Sequence, residues 1–264
     1  MSEHRNMRWC RTGLLALTVL LIAGCASTTE RNQDRERLQK LVDTNIQLAA
    51  GYLQQGQMDA AKEKLDKALE LSPDDPQANN VMALLQWRLR NYDTAERHFR
   101  RALDSRTGGI NPDVQHNYGA FLCDRNRVDE AMTWFERAIA NPQYPTPELA
   151  NLNAGLCLLK KPDRAAAERY LRQALQRNPA LAPALLQMAR LSYESGNVMS
   201  ARGFMERYTK AGPETAESLW LGIRVERALG NRNAEGNYAL RLKGRFPDAP
   251  ETQEYLRNSG KRKP

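Results

Sequence analysis

Runs rich in valine, isoleucine and threonine are nearly absent from this chain of 264 residues, which excludes a sheet-based core. Histidine occurs three times and cysteine four times. His98 and His116 have no Cys or acidic pair at metal-ligand spacing, so no metal site is expected. Gly108-Gly109 lacks the lysine and hydroxyl residue of a phosphate loop, and no Gly-x-Ser-x-Gly surrounds Ser195-Gly196. The carboxylates lie beside arginines at helical spacing, where ion pairs are the ordinary outcome. The chain is therefore expected not to be an enzyme, to need no cofactor and to bind no nucleic acid. Long apolar runs are missing too. The stretch Leu14 to Ile22 has about half the residues needed to span a bilayer.

What is present favours helix. Alanine, leucine, arginine, glutamate and glutamine dominate, and 27% of residues are charged. The net charge of +8 is an excess that favours anionic partners, although a solvated arginine-rich helical surface carries the same excess.

The first residues read as an address. Arg5, Arg8 and Arg11 precede the short apolar run, and small residues follow it. Ile22-Ala23-Gly24-Cys25 resembles the bacterial lipobox. That resemblance implies cleavage before Cys25 and a covalent lipid on it, and Ala26 in the next position implies the outer membrane. Residues 1–24 are then a signal peptide, and residues 25–41 hold the lipidated cysteine, a polar tether and a helical lead-in. If Ala26 to Gln33 is that tether, its eight residues extended reach about 28 Å at most.

From residue 42 to 246 the chain repeats. The pattern Ala-x3-large-x2-Ala occurs at Ala61-Leu65-Ala68, Ala95-Phe99-Ala102, Ala131-Phe135-Ala138 and Ala167-Leu171-Ala174. Degraded copies read Ala201-Met205-Tyr208 and Ala234-Tyr238-Arg241. Twelve positions before each first alanine stands a small residue: Ala49, Ala83, Gly119, Gly155, Ala189 and Gly222. Turn signals such as Gln55-Gly56, Arg125-Asn126 and Gly230-Asn231 fall between the halves, and prolines close the copies. This pattern resembles the tetratricopeptide repeat, whose period is about 34 residues. It implies an all-α superhelix of six helical hairpins, with the large residue filling space between hairpins. Residues 247–264 supply a capping helix, Glu251 to Asn258, and a basic tail. Two longer loops, Thr107 to Asn111 and Pro142 to Pro147, interrupt the period. Cys123 and Cys157 fall late in the first helices of neighbouring hairpins; they are either a disulfide or two small buried thiols, and distance decides between these.

In tetratricopeptide stacks the first helices line a concave groove. By that resemblance Ile46, Ala50, Leu53, Leu84 and Trp87 are the candidate partner-binding residues, and His116, Cys123 and Leu156 occupy groove positions further on. Lipobox, short tether and six hairpins together resemble the type IV pilus biogenesis lipoproteins of the PilF/PilW family, also called pilotins. The stretches Asn45 to Leu53, Asn117 to Cys123 and Asn151 to Cys157 carry the resemblance. It implies a monomeric, outer-membrane, lipid-anchored scaffold facing the periplasm. Its partner would be the pilus secretin, which it helps to localise and multimerise, in support of twitching motility. The alternative is an envelope adaptor that docks cell-wall hydrolases or synthases.

Replacing the acceptor thiol tests the anchor. Cys25→Ser is expected to leave an unprocessed precursor that takes up no palmitate label. A variant that still carries the label and fractionates with outer membranes would remove the lipobox reading.

Overall fold

The computed structural model describes residues 31–105, 108–161 and 163–260. Among the described residues there are thirteen α-helices, one short 3-10 turn and no strand. Helix α1 covers residues 31–54. The others are α2 (Met58–Leu71), α3 (Pro76–Arg88), α4 (Tyr92–Asp104), α5 (Pro112–Asp124), α6 (Val128–Ala140) and α7 (Pro147–Leu158). They continue as α8 (Arg164–Arg177), α9 (Ala182–Glu194), α10 (Val198–Ala211), α11 (Ala216–Ala228), α12 (Arg232–Arg245) and α13 (Pro250–Gly260). Two compact units divide them. Met1–Ile110 holds the first two hairpins, and Asn111–Pro264 holds the remaining four and α13. Two boundaries differ from expectation. Residues 31–33 belong to α1 rather than to a tether, and the capping helix runs on to Gly260.

Local chemistry starts and stops these helices. Pro76, Pro112, Pro147 and Pro183 sit in the first turn of α3, α5, α7 and α9, where a missing N–H costs nothing. The Asp75 carboxylate accepts from Ala78 N–H at 2.8 Å, and Thr215 with Ser218 forms a reciprocal capping box on α11. The turns inside five of the hairpins share one geometry. Gly56, Arg90, Asn126, Gly196 and Gly230 all have φ between 62° and 81°. The next N–H then reaches back five residues, as in Gln57 to the Tyr52 carbonyl (2.9 Å) and Arg127 to the Leu122 carbonyl (2.9 Å). This is the Schellman end of the first helix, and it fixes how the second helix leaves.

The helices cross at the small residues. A Cβ on Gly119 would lie 2.9 Å from Phe135 Cδ1 and 3.2 Å from the Ala131 carbonyl oxygen. On Gly155 it would meet Leu171 Cγ at 2.8 Å and the Ala167 carbonyl oxygen at 3.1 Å. Phe135 and Leu171 thus lie over the glycine of their own hairpin and are fully buried there, not between hairpins as expected. The close backbone approach leaves a void beside the glycine, and a large side chain from the opposing helix fills it.

The sixth copy corrects the pattern by one residue. Its turn residue Gly230 stands five positions before Glu235, the same offset that separates Gly56 from Ala61 and Asn126 from Ala131. The buried residues of α12 are Ala239 and Leu242, while Ala234, Tyr238 and Arg241 are only partly covered. The equivalent of Gly119 is then Ile223, and the equivalent of Phe135 is Ala239, and both lie in one core cluster. Large and small have exchanged helices, so the crossing keeps its volume while the recognisable alanine spacing disappears.

Cys123 and Cys157 are bonded, with Cα atoms 5.7 Å apart, which joins α5 to α7 and closes a 34-residue loop. Cross-linking a loop of that size stabilises a fold by about 2–4 kcal/mol.

Two glycine substitutions separate packing from helix propensity. Gly119→Ala is expected to lower Tm despite alanine's better propensity, because overpacking costs about 1–3 kcal/mol. At Gly51, also helical, a Cβ would meet nothing within 4 Å, so Gly51→Ala is expected to raise Tm. Calorimetry on both variants checks the pair; equal shifts would contradict the crossing geometry.

Candidate functional site

In the first unit, α1 and α3 present their open faces to the same concavity. Residues spaced three, four and seven apart share a helix face, which brings Ala50, Leu53 and Gln54 of α1 opposite Val81, Leu84, Trp87 and Arg88 of α3. They enclose a volume of 480 Å³. Leu53 and Val81 are buried and form the floor, whereas Ala50, Leu84 and Trp87 are half-buried and form the walls. Arg88 supplies the charged group in the lining, and its Nη1 donates to the Leu53 carbonyl at 2.5 Å. Lys160 repeats this contact two hairpins on, donating to the Cys123 carbonyl at 2.6 Å. A cation at this position occupies an end-of-helix carbonyl where the helix dipole is negative. The arrangement presents apolar surface, and its lining holds no nucleophile or acid–base pair.

Ala50, Leu53, Leu84 and Trp87 of the expected groove therefore meet in one place. Ile46 does not join them. It is 6% exposed and packs in the core with Val42, Ala49 and Leu65, because its position on α1 turns toward α2 and α3. Gln54, Val81 and Arg88 went unnamed in the sequence reading, although the spacing from Leu84 to 81 and 88 signals them. Cys25 lies outside the described residues.

His116, the groove position of the third hairpin, is closed off. The Asn153 amide nitrogen lies 2.7 Å from its Nε2, so its Nδ1 carries the proton and donates to the Tyr144 hydroxyl at 2.6 Å. Tyr144 is buried and pins the loop between α6 and α7 onto α5. No group of three or more metal-ligating side chains occurs among the described residues.

Comparison with known proteins adds to this geometry. Tetratricopeptide repeat models match residues 41–108, 80–146 and 158–221. The type IV pilus assembly protein PilF of Pseudomonas aeruginosa is 32% identical over 250 residues, covering 93% of this chain and 97% of that protein. This chain belongs to the PilF family of type IV pilus assembly proteins. The solved structure of Pseudomonas aeruginosa PilF superposes with a TM-score of 0.77 at 32% identity, over 84% of this chain and 99% of that one. PilW, described as a widely conserved type IV pilus biogenesis factor, superposes with a TM-score of 0.74 at 34% identity, over 81% and 98% of the two chains. Membership in the PilF family supports a role in type IV pilus biogenesis for a protein of tetratricopeptide repeats, which are protein-interaction scaffolds.

The enclosed His116 generates a pH prediction. Burial pushes its imidazole down from 6.5 to about 4. Below pH 6.5 the unfolded chain takes up a proton that the folded chain refuses until about pH 4. Stability is thus complete above pH 6.5 and is lost as pH falls toward 4, by on the order of 3 kcal/mol. Chemical denaturation of the native protein and of His116→Gln between pH 7 and 4 is expected to show the shallower dependence in the variant. Parallel curves would place the acid sensitivity elsewhere.

Proposed function

We propose that the chain is an outer-membrane lipoprotein, anchored by a lipid on Cys25, that promotes outer-membrane localisation and multimerisation of the type IV pilus secretin. It acts as a scaffold and not as a catalyst, in support of pilus biogenesis and twitching motility. Kinship with PilF over 93% of the chain carries this reading. The groove of the first unit is the proposed contact, receiving a short amphipathic helix of the secretin. Its support is physical. Leu84 and Trp87 leave apolar surface open beside a buried apolar floor, and such grooves accept one face of a partner helix. The hairpin concerned is also the one next to Cys25 in sequence. The described part of α1 starts at residue 31, and the five residues between it and Cys25 span at most about 18 Å even if extended. A lipid-held body then presents this groove near the membrane where the secretin must assemble.

Trp87 and Leu156 test the placement. Leu156 is a half-buried residue of α7 that packs against the core of the second unit. With folding of each variant confirmed by circular dichroism, Trp87→Ala is expected to reduce secretin multimers in membranes, since buried tryptophan contacts commonly contribute 2 kcal/mol or more, roughly thirtyfold in affinity. Leu156→Ala is expected to leave the multimers in place. The opposite result would move the contact to the second unit, and normal multimers without the protein would favour an adaptor for cell-wall enzymes.

A further inference from the structure

Four of the second helices carry an aromatic ring at a fixed place, three residues after the first position of the pattern as the hairpin turns set it. These rings are Trp134 in α6, Tyr170 in α8, Phe204 in α10 and Tyr238 in α12. Three residues further on, an arginine covers the ring in three of them: Arg137 over Trp134 at 4.5 Å, Arg207 over Phe204 at 5.7 Å and Arg241 over Tyr238 at 4.6 Å. The ring shields the seam beneath it, and the guanidinium closes over its face. In α4 the pattern keeps the arginine, Arg101, but the ring is His98. Unlike the other rings named, this one carries a ring nitrogen that can accept a hydrogen bond.

The surroundings fix the state of that ring. Asn79 is fully buried, and its amide nitrogen donates to the Pro73 and Asp75 carbonyls, both at 2.9 Å. Its Oδ1 is therefore the atom that meets His98 Nδ1 at 2.9 Å, and an acceptor there requires Nδ1 to carry the proton. His98 Nε2 is left as an acceptor on the ring edge away from Asn79. His98 also lines a concavity of 700 Å³ with Asp74, Arg97, Arg100, Arg101, Asp104 and Ser105. Arg101 is paired with Asp74 at 3.2 Å and Arg100 with Glu96 at 2.8 Å, while Arg97 donates to the Thr94 hydroxyl. The charge of Asp66 of α2 acts on the ring in the opposite sense, raising its pKa. Burial, then the charges of Arg101 and Arg97, lowers the pKa of His98 and keeps it neutral near pH 7.

The wall joins the guanidinium groups of Arg97, Arg100 and Arg101 to His98 Nε2 and to the carboxylates of Asp74 and Asp104, a set that suits a ligand bearing both oxyanion oxygens and an acidic proton. A phosphate monoester can present both, because its second ionisation lies near 6 and part of it keeps the acidic proton close to neutral pH. Sulfates, carboxylates and phosphodiesters offer acceptors only. We infer that this concavity is a binding site for a phosphate monoester group, with Arg97 and Arg101 on the oxygens and His98 Nε2 accepting the acidic proton. The group could be carried by a lipid headgroup or be free in solution, and the same site serves either.

NMR of the full chain in nonionic detergent tests this, with inorganic phosphate as the probe and sulfate at equal ionic strength as the control. The signal of His98 is assigned with His98→Gln, and buried His116 serves as the internal reference. Phosphate is expected to shift the His98 signal saturably and to raise its pKa by about one unit, as a neighbouring anion does. Sulfate should do neither, and Arg97→Gln should weaken the phosphate effect roughly tenfold, the scale of one charge-assisted hydrogen bond. Mixed micelles containing phosphatidic acid, a monoester, or phosphatidylglycerol, a diester, form the second arm. A response to phosphatidic acid alone assigns the site to a lipid, and a response to inorganic phosphate alone assigns it to the free ion. Equal shifts with sulfate or phosphatidylglycerol, or no shift with either monoester source, overturn the inference.

Discussion

Each hairpin rests on one steric constraint: where its two helices cross, a large side chain on one helix must face a small residue on the other. Gly119 and Gly155 bring backbones so close that a single methyl group would strike a ring or a carbonyl oxygen. Phe135 and Leu171 then fill the remaining space. Shared chemistry at the turns sets the second helix on its course toward that crossing, and without it the crossing residues would not meet. A lone hairpin leaves its other faces apolar and exposed, so the copies must stack, and stacking in turn brings the open faces of the first helices side by side.

The groove follows from that arrangement. Side chains of α1 and α3 that take no part in a crossing have no helix of their own hairpin to cover them. Leu84 and Trp87 are left half-buried over a floor of Leu53 and Val81. The same geometry in the third hairpin gives a closed result, because Tyr144 from a longer loop covers His116 there. One repeat can therefore present a surface that another repeat conceals. That is a physical basis for placing a partner on the first unit, and it accords with a scaffold role in a family of pilus assembly proteins.

The second helices show how a repeat acquires a local property without losing its fold. His98 stands where four other second helices carry an aromatic ring, and it lies among arginines. The buried Asn79 holds the tautomer through contacts that also secure the loop before α3.

Most of the fold was legible because alanine at a crossing is a chemical necessity that recurs with the period, and so four copies announced themselves from spacing alone. The helical class and the hairpin turns followed from the same periodicity, and Ala50, Leu53, Leu84 and Trp87, named by resemblance, line one concavity. The sixth copy misled by one residue. Its crossing is satisfied by Ile223 against Ala239, and a swap of large and small across two helices is invisible to a pattern read along one of them. Ile46 was misplaced for a related reason: periodicity assigns a face, but the angle at which the neighbouring helices pack decides whether that face is open. The Cys123–Cys157 bond and the enclosure of His116 depended on distances between residues at least 28 positions apart, set by packing of helices and loops that no local spacing encodes.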